Sequence, residues 1–143
     1  MYIRYFAMAF FAGVLHYIWE VSHIHLYTGY EALGSGTTLL VWATAGDILY
    51  SLLGVIVVGA LYRDFDWLKH PHKKQFILVA VYGCIVAIGI EWKALIMHRW
   101  AYTIAMPIVP FLNVGLSPIV QMSIIVPISC LLAFIVSKKF ISN

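Results

Sequence analysis

The chain has 143 residues, 63% of them hydrophobic and only 10% charged, with a mean hydropathy of +0.92. A soluble domain carries about 25% charged residues, so this composition excludes one and describes an integral membrane protein. It forms a single domain over residues 1–143, because four spans of about 20 residues each would use most of the chain.

The first helix is expected over residues 2–21, starting beside Arg4. His16, Glu20 and His23 follow at spacings of four and three, which places all three on one stripe. His16 and Glu20 interrupt a hydrophobic stretch that otherwise looks like a secretory signal, and no small-x-small cleavage pattern follows. It therefore reads as a retained helix. The next link, residues 22–37, contains Gly29, Gly34 and Gly36, one charge at Glu31, and no lysine or arginine. A second helix over residues 38–62 places Thr44, Asp47, Tyr50 and Ser51 among many Leu, Ile and Val residues. At about −0.3 to −0.6 kcal/mol each, these outweigh the roughly +3 kcal/mol of one central Asp, and the helix still inserts.

The link RDFDWLKHPHKK holds Arg63, Lys69, Lys73 and Lys74 and is the strongest cytoplasmic marker in the chain. A third helix over residues 75–95 sets Gly83, Ala87 and Glu91 at four-residue steps, where small residues let a neighbouring helix come close. Residues 104–112, IAMPIVPFL, carry no charge and no polar side chain, yet Pro107 and Pro110 forbid a continuous helix. Non-helical backbone at membrane depth is tolerated only where it is buried in protein or lines a cavity. This run is expected to be a re-entrant or interfacial lid over a polar pocket. Ser117 and Pro118 read as the N-cap and first position of a fourth helix over residues 118–137, kinked at Pro127. The fold class is thus all-α, an integral membrane four-helix bundle with an apolar segment between helices three and four.

Seven basic residues (Arg4, Arg63, Lys69, Lys73, Lys74, Lys138, Lys139) fall on one side against two (Lys93, Arg99) on the other. Both termini are therefore expected in the cytoplasm, and Glu20, Asp47, Glu91 and the lid in the outer half of the bilayer. The basic residues flank apolar runs, so the formal charge of +3 signals topology and not nucleic acid. Intramembrane ionisable residues are functional candidates by default. Glu20, Asp47, Glu91 and Arg99 are the candidate acid–base set, with Arg99 expected to hold Glu91 ionised or to grip an anionic head group. His16, His23, Tyr102 and Gln121 are the candidate substrate contacts. The bland alternative is a polar clasp between helices, with Lys93 merely snorkelling. Glu20 and His23 have the Glu-x-x-His spacing of di-iron bundles, but those use two copies and only one is present, so no metal and no cofactor are expected. Cys84 and Cys130 lie inside apolar runs and make no metal spacing.

The combination of WE at 19 and 20, LYTGY at 26–30, TAGD at 44–47, EW at 91 and 92, RWAY at 99–102, MPIVP at 106–110 and GLSPIVQ at 115–121 resembles a family of small four-helix bacterial inner-membrane proteins. That family brings no established chemistry to transfer. The resemblance implies a multi-pass protein of the bacterial inner membrane. A fainter likeness, by analogy, links the chain to membrane carotenoid hydratases and lycopene cyclases, which also combine an intramembrane acid with an aromatic, Pro- and Gly-rich segment. The leading expectation is an outer-leaflet pocket that binds a membrane lipid or isoprenoid and performs acid–base chemistry on it. The alternatives are a non-catalytic subunit packed against a larger membrane complex, and a proton or small-ion conductor that would need a homo-oligomer to form a pore.

Overall fold

Leu, Ile, Val and Phe occur on all sides of the long segments, a pattern suited to helices with apolar surroundings on every face. The computed structural model describes residues 2–29 and 36–141; Glu31 and Gly34 of the first link lie outside them. Its helices are α1 (Tyr2–His23), α2 (Thr37–Tyr62), α3 (Lys73–Ile96) and α4 (Leu116–Ile141), each reaching the expected bounds or one to four residues beyond them. Three of the four expected spans, α2, α3 and Leu116–Lys139 of α4, are long and apolar enough to cross a membrane. Helix α1 falls short by composition, since it carries Arg4, His16, Glu20 and His23 among its aromatic residues.

The helices form a ring in chain order, with α4 packed closely on α1 and α3, α1 on α2, and α2 on α3 least intimately. The α3–α4 approach rests on Gly83, where a Cβ would lie 2.5 Å from the Met122 carbonyl oxygen. Small residues at such a step bring backbones together. Between α2 and α3 the contact is at Gly54, where a Cβ would lie 2.7 Å from the Tyr82 ring, beside buried Val55 and Val79.

The α2–α3 turn and the start of α1 form a basic end. Arg63 takes the left-handed conformation that ends α2, with φ 53°, and its N–H and that of Asp64 return to the Ala60 and Gly59 carbonyls. Tyr5 donates its hydroxyl hydrogen to the Phe65 carbonyl at 2.8 Å, and Trp67 donates its indole hydrogen to the Val55 carbonyl at 3.1 Å. Trp67 and Leu68 are thereby buried in a nominal loop. Asp66 accepts from Lys69 and lies 4.0 Å from Arg4, and the Lys69 hydrogen bond chiefly holds its carboxyl below the ordinary range.

At the opposite end, strand β1 (Tyr27–Thr28) pairs antiparallel with β2 (Ala101–Tyr102), matching Tyr27 to Tyr102. This joins the chain after α1 to the chain after α3. Strands β3 (Ile108–Val109) and β4 (Val114–Gly115) make a short hairpin, with Phe111 and Asn113 at φ 69° and 55° in its turn. Only Met106 of residues 104–112 is buried, while Ile104 and Phe111 are fully exposed on this chain. Ser117 is not the N-cap of α4: the helix begins one residue earlier, and the Ser117 hydroxyl instead accepts from the Trp19 indole at 3.2 Å.

Candidate functional site

At about 1.5 Å of rise per residue, Glu20 lies roughly one turn from the end of α1, and Gln121 less than two turns into α4. Asp47 lies nearly three turns below the start of α2, and Glu91 less than two turns from the end of α3. Antiparallel neighbours bring all four to the end opposite the basic turn.

Gln121 is the hub. Its Nε2 lies 2.9 Å from Glu20 Oε1, 2.9 Å from Asp47 Oδ2 and 3.1 Å from His16 Nδ1. An amide nitrogen has two hydrogens and cannot serve three acceptors fully. The demand is met when both go to the carboxyls and His16 Nδ1 carries its own hydrogen, pointed at Asp47 Oδ2 3.5 Å away. His16 Nε2 then accepts from the Ser51 hydroxyl at 3.1 Å. Glu20 Oε1 and Asp47 Oδ2 therefore lie on one nitrogen, and two carboxyls held this close in a buried site do not both ionise readily. One proton between the two groups meets that constraint.

Glu91 is held separately. Its Oε2 accepts from the Trp100 indole at 3.3 Å and from the Tyr102 hydroxyl. Both donors reach it because, just past the end of α3, His98 takes the left-handed conformation, with φ 51°, and the chain turns back into β2. Burial, then the Glu91 bond, pushes the Tyr102 hydroxyl above the ordinary tyrosine range, and burial does the same to Tyr27.

Glu20, Asp47, Glu91 and Gln121 line one cavity of about 460 Å³. Arg99 lines it too, but its side chain is exposed, and among the described residues no ion pair joins it to Glu91. The expected Glu91–Arg99 pair is therefore replaced by neutral donors from an adjacent strand. His23 does not join the site: its ring stacks on Trp19 at 4.3 Å, and its Nδ1 bonds the Trp19 carbonyl at 3.0 Å. Tyr102 does not line the cavity and reaches the site through Glu91 and Tyr27. Residues 104–112 supply no wall of the cavity, so they are not its lid.

Tyr27 was not legible as a site residue, yet it lines the cavity and packs edge-on against Trp100 and Tyr102 at 6.2 and 5.7 Å. The only signal was the aromatic density of LYTGY and RWAY. Among the described residues no group of three or more His, Cys, Asp or Glu side chains is placed to hold a metal ion. No protein-family model, curated protein or solved structure matches the chain.

Proposed function

We propose that the chain is a multi-pass membrane protein in which α1 also spans, shielded by α2 and α4, and that its cavity binds a lipid or isoprenoid for acid–base chemistry. Both termini would be cytoplasmic and the cavity in the outer leaflet of a bacterial inner membrane, as the basic turn at the opposite end favours. The observation that carries the reading is the Gln121 bridge between Glu20 and Asp47 in the same cavity as a differently held carboxyl, Glu91.

Groups in unlike environments can divide the work of acid and base. The Glu20–Asp47 pair gives its shared proton to the ligand, and Glu91, faced by two donors, takes one from it. The ligand's proton count is then unchanged, as in a double-bond shift. Residues 104–112, with Ile104 and Phe111 bare, would lie in the membrane interface and not over the cavity. A through-path for ions within one chain has less support, because Met8, Val55, Val58 and Val126 fill the core below Ser51.

The test is to purify the wild-type chain and the Glu20→Gln and Asp47→Asn variants and to identify the amphiphiles that remain bound by native mass spectrometry. The wild type should carry a lipid-like molecule that both folded variants lose. A wild type free of such a molecule, or variants that keep it, would overturn the reading.

A further inference from the structure

We infer that the cavity is loaded sideways through a gap between α2 and α3, by an amphiphile whose hydrogen-bond-donating head rests on Glu20, Asp47 and Gln121 while its tail leaves past Gly46. This inference rests on the ligand-binding reading above and adds the route and the class of head group.

Among the described residues, packed elements cross the other sides of the cavity. Above it, β1–β2 pairing is reinforced by the Thr103 N–H donating to the Leu26 carbonyl at 2.9 Å, and Tyr27 and Trp100 meet nearly perpendicular across it. Behind it, α1 and α4 are bridged by Gln121 to Glu20 and by Trp19 to Ser117. Below it, Gly54 lets the Tyr82 ring press on the α2 backbone, with Val55 and Val79 buried alongside.

Between α2 and α3 the two edges are Trp42, Gly46 and Tyr50 on one side and Ile90 and Ala94 on the other, all lining the cavity. Trp42 is 72% exposed, and a Cβ at Gly46 would meet no atom within 4 Å. The opening is thus edged mainly by apolar and small side chains and faces the surroundings of the helices. That geometry admits a molecule already dissolved in the bilayer.

The head-group class follows from the floor. Glu20, Asp47 and Glu91 present carboxyl oxygens there, and the two cations of the lining, Lys93 and Arg99, are exposed at the rim. A phosphate head would face three carboxyls, whereas a hydroxyl can donate to an ionised one and accept from a protonated one. A long-chain alcohol is the simplest ligand of this kind.

The probe is a long-chain alcohol carrying a photoreactive diazirine midway along its tail, used on the purified full chain in lipid nanodiscs. Adducts displaceable by excess unlabelled alcohol should map to α2 around Gly46 and to α3 around Ile90. Gly46→Phe should reduce them to the level seen with competitor. Gly89→Phe should not, since a Cβ there also meets no atom within 4 Å but Gly89 lies outside the cavity lining. Displaceable adducts confined to residues 24–29 and 99–103, or undiminished in folded Gly46→Phe, would overturn side entry while leaving the bound ligand in place. The absence of any displaceable adduct in the wild type would overturn both readings.

Discussion

Trp100 donates its indole hydrogen to Glu91 Oε2 at 3.3 Å, in the place the sequence assigns to the guanidinium of Arg99. The Tyr102 hydroxyl donates to the same oxygen. The Glu91 carboxyl in the cavity is therefore tied to the β1–β2 pairing and not to an exposed basic side chain.

Tyr102 sets a pH dependence. Burial and its bond to Glu91 hold its hydroxyl above the ordinary tyrosine range. In the unfolded chain tyrosine ionises near pH 10, so above that pH the folded state keeps protons that the unfolded state has lost. Stability must then fall as pH rises through and past about 10. Thermal melting in detergent from neutral to strongly alkaline pH should show this fall, and Tyr102→Phe should make it shallower. An unchanged slope in the variant would refute the assignment.

Gln121→Leu should destabilise the fold by about 1–3 kcal/mol, because it strips a donor from buried acceptors without removing them. The midpoint of thermal unfolding reads this directly. A variant as stable as the wild type would show that Glu20 and Asp47 satisfy each other without the amide.

Gly83→Ala and Gly89→Ala should behave oppositely. The first forces a Cβ to within 2.5 Å of the Met122 carbonyl oxygen, so α3 and α4 must separate. Overpacking of this kind typically costs about 1–3 kcal/mol. The second meets nothing within 4 Å and gains helix propensity. Comparable melting points for the two variants would contradict the close α3–α4 approach.

With the orientation proposed above, a cysteine at Lys73 should be shielded from impermeant thiol reagents in intact cells, because the basic turn, the start of α1 and the end of α4 share one end of the bundle. Labelling from outside would invert the orientation and move the cavity to the inner leaflet.

The parts of this architecture that were legible depend on the length of the apolar runs and on helical spacing. The four helices, the Gly83–Ala87–Glu91 stripe and the meeting of Glu20 with Asp47 follow from spacing and from antiparallel neighbours of similar length. The partner of Glu91 was not legible, because it is chosen by the left-handed turn at His98 and by a two-residue strand pairing across the ring. No local pattern reports either feature. The 104–112 run misled for a related reason: its apolar composition fixes a preference for apolar surroundings but not whether protein or lipid supplies them. Ser117 before Pro118 has the composition of a cap, yet the β4 pairing carries the chain into α4 one residue early.

At the basic end, Tyr5 and Trp67 fasten the α2–α3 turn to α1 and to α2 itself, and the Gly54–Tyr82 contact lies between that fastening and the cavity. Two rods joined in this way behave as tweezers. For any tilt about the Gly54 contact, the parting of α2 from α3 would grow with distance along the helix, from Ser51 through Gly46 to Trp42. Modest tilting about Gly54 widens the entrance by more than it disturbs Ser51, and the jaws can part while the joint stays packed.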